Sequence, residues 1–96
     1  MKIEDLAGTI KSVTGIAMDD LIGRSRAESV VYARRVFVYI LLSEFGISVN
    51  GVAELTRRDR TSIYWYLNNM DGWIEWDKKF SKLLKSVKNQ ANMLHE

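Results

Sequence analysis

The block Val36-Phe37-Val38-Tyr39-Ile40-Leu41-Leu42 is apolar at every position. A helix without a polar side must be covered all round, so this one has to lie in the middle of the fold with other elements packed about it. A buried strand is the rival reading, because β-branched and aromatic residues abound there. The absence of hairpin signals and the distance to Gly46 decide for a helix. Ser29 is placed to cap it, giving a span from about Val30 to Phe45.

Glycine marks where the other helices stop, since the chain contains no proline. Gly15, Gly23, Gly46 and Gly72 each follow a stretch of helical apolar spacing, where a left-handed C-terminal cap calls for glycine. Ahead of Gly15, residues Ile3, Leu6, Ala7, Ile10 and Val13 recur at steps of three and four and form one face of an amphipathic helix. Asp19 and Asp20 precede Leu21 and Ile22. Paired carboxylates can do acid–base work, but negative charge at a helix start is the reading taken. After Gly46, Ser48 is placed to cap a short helix bearing Val49, Val52, Ala53 and Leu55. Thr56-Arg57-Arg58-Asp59 reads as a tight polar turn, with Asp59 capping a helix whose inward face is Ile63, Tyr66, Leu67 and Met70 and which closes at Gly72. Trp76, Phe80, Leu83, Leu84 and Val87 define a last helix with a lysine-rich outer face. The expected fold is all-α, a compact five- to six-helix domain over residues 1–96 that contains a helix-turn-helix.

A chain of 96 residues has room for one core, not for a binding domain plus a nucleotide-hydrolysing one. There is no cysteine for a disulfide or thiolate site, and His95 is given no role because a zinc site needs about four converging donors. No metal or cofactor is expected. No nucleophile–base pair presents itself either, so the chain reads as a non-enzyme without a small-molecule substrate. Met1-Lys2-Ile3-Glu4-Asp5 carries acids where a secretory signal needs a basic start, and the central apolar block is far shorter than the roughly 20 residues that cross a bilayer. A cytoplasmic protein with no membrane partner is expected.

The formal net charge is only +2, but its distribution is uneven. Every arginine lies between Arg24 and Arg60, while the last third of the chain is basic through lysine alone. Arginine presents a planar fork that matches phosphate and guanine edges bidentately, whereas lysine is a point charge used freely for solvation. The segregation points to an anion meeting the middle segment; a solvated surface that happens to use arginine is the plainer alternative.

A short helix, a three- or four-residue turn and a second helix make the helix-turn-helix plan. With Ile63, Leu67 and Met70 turned inward, steps of about 100° put Thr61, Trp65 and Asn68 outward, with Ser62 and Asn69 on one flank and Arg60 on the other. Ser and Thr bond base edges or phosphates, Asn can bond adenine bidentately, and an indole can lie against a thymine methyl. An ordinary solvated helix accounts for the short polar residues but poorly for an outward Trp65. A protein-interaction module pairing through Tyr64, Trp65 and Trp73 accounts for Trp65 equally well.

Residues 13–87 resemble the C-terminal DNA-binding domain of the bacterial chromosomal replication initiator DnaA, a Trp-repressor-like helix-turn-helix group. Arg58-Asp59-Arg60-Thr61-Ser62-Ile63 looks like the family's Arg-Asp-His-(Ser/Thr)-Thr-Val signature. Met18-Asp19-Asp20-Leu21-Ile22 looks like its short acidic turn, and Arg24-Ser25-Arg26 and Arg34-Arg35 look like its basic loop and the start of its long helix. The resemblance implies double-stranded DNA as partner, with base contacts from Asp59, Arg60 and Thr61, minor-groove contact from Arg26, and phosphate contacts from Arg34 and Arg35. Arg24, Arg58, Ser62 and Trp65 complete the candidate set. The family's histidine is Arg60 here, its proline ahead of the long-helix arginine is Ala33, and its turn glycines are missing. Its ATPase module and Gly-rich phosphate loop have no counterpart. The implied role is sequence-specific binding in replication initiation or its regulation, the alternatives being a transcriptional regulator of the same fold or a helical interaction module. A homodimer is left open.

Overall fold

The computed structural model describes residues 2–92, and the only regular structure among them is helical. His95 lies outside the described residues. Six helices follow in order: α1 (Ile3–Thr14), α2 (Met18–Leu21), α3 (Glu28–Ser43), α4 (Val49–Thr56), α5 (Arg60–Trp76) and α6 (Lys78–Gln90). The apolar block does lie at the centre, for α3 touches each of the other five helices. Val36, Phe37, Val38, Ile40 and Leu41 are fully buried, and they meet Leu6 and Ile10 of α1, Val52 of α4, Ile63 of α5, and Phe80 and Val87 of α6 in one core.

Gly15 and Gly46 take the left-handed conformation expected of helix-ending glycines, with φ of 79° and 65°. Two of the expected boundaries are different. Helix α3 starts at Glu28 behind Ala27, so Ser29 is already inside its first turn and caps nothing. Gly72 does not end α5, which continues to Trp76. A mid-helix glycine costs about 1 kcal/mol relative to alanine. Here that cost is offset because Met70 and Trp73 on either side pack toward the core. The break comes at Asp77 instead. One of its carboxylate oxygens accepts the Phe80 N–H at 3.2 Å and caps α6, while the other accepts the Tyr32 hydroxyl at 2.7 Å.

Helix α4, residues 57–59 and α5 follow one another as a helix, a three-residue turn and a second helix, the order expected of a helix-turn-helix. Ser48 caps α4 as expected, accepting the Gly51 N–H at 3.1 Å. Thr56 is fully buried at the end of α4, with its hydroxyl donating to the Val52 carbonyl at 2.7 Å. That leaves three residues for the turn, and Arg57 closes α4 in the left-handed region at φ 55°.

Candidate nucleic-acid interface

The turn is tied to the rest of the molecule through one carbonyl. Gly23 follows α2, and its oxygen accepts Arg58 Nη2 at 2.7 Å from the helix-turn-helix and Arg34 Nη2 at 3.2 Å from α3. The backbone is closely packed here: a Cβ at Gly23 would stand 2.8 Å from the Asp19 carbonyl oxygen. Gly23 is therefore needed for close approach, not for the left-handed cap expected of it. Arg58 Nη1 also donates to the Thr56 carbonyl at 2.9 Å, fixing the turn from both sides.

Arg34 is buried, and its fork is largely taken up inside the protein. Nε donates to the Leu21 carbonyl at 2.8 Å, and Nη2 donates to the Asp20 and Gly23 carbonyls at 3.0 and 3.2 Å. Burial, and next the neighbouring charge of Arg58, hold its pKa below the ordinary arginine value. Arg34, expected to grip a phosphate, is braced at the floor of the site, where three carbonyls compensate its desolvated charge.

Above that floor, Arg24, Arg26, Arg34, Arg57 and Arg58 line a cavity of about 300 Å³, with Asp59 the single acid on its wall. None of the seven arginines forms an ion pair among the described residues; the two salt bridges found there belong to lysines. Five cations of one sign around a concave surface focus a positive potential onto it. Arg57 was not singled out as a site residue from sequence. The signal available was its place in an arginine run at a turn whose counterpart in the resembling family is glycine.

Asp59 occupies the position before α5 with extended backbone, yet its carboxylate accepts no capping bond. Only its carbonyl is engaged, by the N–H groups of Ser62 and Ile63 at 3.1 and 3.4 Å. The expected side-chain cap is therefore absent, and the carboxylate is left on the rim of the basin. Arg60 and Thr61 are exposed, and Ser62 is half-buried at the basin wall. A second cleft continues from the basin along α5, sharing Arg26, Arg58 and Ser62 with it and adding Thr61, Trp65 and Tyr66. Burial pushes the Tyr66 hydroxyl above its ordinary pKa.

The inward face of α5 is Ile63, Tyr66 and Met70, with Trp73 half-buried in the same row. Leu67, expected inward, is 38% exposed. It is one residue out of the i, i+3, i+7, i+10 row that faces α3 and α6. Trp65 does face outward, at 49% exposure. Arg35 is the exception among the candidates: its guanidinium lies among aromatic rings and not in the basin. Along the outer face, acids return only with Asp71 and Glu75, so residues 60–70 form the acid-free part of α5.

Two curated proteins resemble the chain, and both are named chromosomal replication initiator protein DnaA. That of Kosmotoga olearia is 31% identical over 64 residues, covering 66% of this chain and 14% of its own length. That of a Picosynechococcus species is 24% identical over 84 residues, covering 86% of this chain and 19% of its own. The chain thus spans less than one fifth of the length of the relatives it matches. No family model matches it, and no solved structure does. None of the helices among the described residues is long and apolar enough to cross a membrane.

Proposed function

We propose that the chain is a binding module for double-stranded DNA, built like the C-terminal domain of DnaA and serving replication initiation or its regulation. Asp59, Arg60, Thr61 and the outward side chains of α5 as far as Asn69 read base edges in the major groove, Arg26 reaches the adjoining minor groove, and Arg24 and Arg57 hold phosphates while Arg58 braces the turn. The observation that carries this reading is the basin of five arginines, free of carboxylate partners among the described residues, opening beside the start of α5. It is supported by the likeness to two proteins named as chromosomal replication initiators. The reading makes the protein a binder and not an enzyme.

The test is selection from a randomised duplex pool at defined salt with the 96-residue chain. The expected result is an enriched site, bound with a log–log salt slope that loses about 0.9 for each phosphate contact removed, as in Arg24→Gln. Thr61→Ala weakens the enriched site by about 1 to 3 kcal/mol and leaves random duplex unaffected. Binding no tighter than that of an acidic control protein at low salt overturns the proposal.

A second reading, self-association, is favoured by one observation. Tyr64, Leu67, Ile74 and Trp76 are exposed along α5, with Trp76 at 79%. A salt-insensitive dimer in solution that dissociates on Leu67→Asp and Ile74→Asp supports it, and a monomeric mass at high concentration removes it.

A further inference from the structure

Arg35 directly follows Arg34 on α3, yet the two side chains have unrelated surroundings. The Arg35 guanidinium carbon lies 4.4 Å from the Trp73 ring centroid, 5.4 Å from that of Tyr32 and 5.7 Å from that of Trp65. Its Nε is buried and finds no hydrogen-bond acceptor. A buried guanidinium nitrogen without an acceptor is costly unless ring faces replace it, and three rings do so here. Trp65 in turn stands edge-on to Trp73 at 5.5 Å and to Tyr66 at 5.4 Å. Trp73 continues the stack to Phe80 at 5.5 Å, in the core. The rear of the half-exposed indole thus rests on a chain of contacts that runs from Arg35 to the centre of the fold.

We propose that Arg35 is a positioning residue for Trp65: its guanidinium, wedged against Trp73, holds the Trp65 indole in one orientation on the outer face of α5 and takes no phosphate itself. The functional half of this inference rests on the DNA reading above. An unsupported tryptophan on a helix surface samples several staggered rotamers, and binding then has to select one. An indole already held has less freedom to lose, so the contact it makes is stronger and more discriminating. Lysine does not replace arginine in this role, because an ammonium has no planar face to lie against a ring.

Arg35→Lys and Arg35→Met separate positioning from phosphate contact. In the free protein, the indole N–H resonances of Trp65 and Trp73 shift in both variants, while that of Trp76, outside the stack, stays in place. On the selected duplex, both variants lose about tenfold in affinity, matching Trp65→Ala, with random duplex bound as before. The salt slope stays at the wild-type value in Arg35→Met, and Arg35→Met combined with Trp65→Ala is no weaker than Trp65→Ala alone. A phosphate contact gives the opposite pattern: Arg35→Met lowers the slope by about 0.9 and weakens all sequences alike, and Arg35→Lys restores both. That result overturns the proposal. If Arg35→Met does not fold, Arg35→Lys decides by resonance shift and by discrimination. Should the wild-type chain bind no duplex, the DNA reading fails separately, and an unmoved Trp65 resonance in Arg35→Lys still overturns the positioning claim.

Discussion

The arginine segment and the lysine helix carry the same kind of charge and use it differently. On α6, Lys79 pairs with Glu28 and Lys88 with Glu44, both at 2.9 Å, while Lys78, Lys82 and Lys85 form no ion pair among the described residues. These lysines solvate the outer side of a helix whose other side, Phe80, Leu84 and Val87, belongs to the core. Between Arg24 and Arg60 the guanidinium groups instead donate to carbonyls, stack on rings or line a shared cavity. A lysine ammonium is strongly hydrated and keeps its water at the surface, whereas a guanidinium gives up water more readily and has the donor geometry to build a site. Position in the chain therefore separates charge that keeps a helix wet from charge that shapes a functional surface.

The largest expected effect removes the floor of the arginine region. Arg34→Ala leaves the Leu21, Asp20 and Gly23 carbonyls without their donors and should cost about 2 to 4 kcal/mol in chemical denaturation. A loss confined to DNA affinity, with stability intact, breaks the view of Arg34 as a brace.

Next comes the junction that starts the lysine helix. Asp77→Ala loses a helix cap and the Tyr32 hydrogen bond together, for about 1 to 2 kcal/mol. Partial burial pushes the Asp77 carboxyl up, but the Tyr32 hydroxyl, the Phe80 and Lys79 N–H groups and the Arg35 charge outweigh it and hold the pKa below its ordinary 3.8. A depressed carboxylate stabilises the fold fully above that ordinary value and loses its contribution as pH falls through the lower folded value. Thermal melts should accordingly show an acid-side loss in the wild type that Asp77→Ala has already incurred.

Arg57→Gly should move stability and binding in opposite directions. Glycine relieves the left-handed strain at φ 55° and raises stability by about 0.5 to 1 kcal/mol. The same change removes one guanidinium from the basin and lowers the DNA salt slope by about 0.9. A stability gain without change in slope takes Arg57 out of the interface.

The smallest effect is the sharpest contrast. Lys82→Gln with Lys85→Gln should alter stability by less than about 0.5 kcal/mol and leave the salt slope unchanged. A lowered slope merges the two basic regions into one surface and ends the distinction drawn between them.

Legible from the residues alone were the all-helical fold, the centrality of the Val36–Leu42 block, the Ser48 cap, the left-handed Gly15 and Gly46, and the outward Trp65. All of these follow from periodicity and backbone preference, which act over a few residues. The end of α5 did not, because Gly72 is a weak stop signal where the helix on both sides packs on the core; the break comes at Asp77, which caps α6 locally and is also reached by Tyr32 from 45 residues away. Nor did the division of labour between Arg34 and Arg35. Adjacent on α3, they stand about 100° apart around its axis, so one turns to the carbonyls after α2 and the other to the rings of α5. Arginine donates to a carbonyl or lies on an indole equally well. Which it does depends on the neighbour the tertiary structure supplies, and that neighbour is not written in the local sequence.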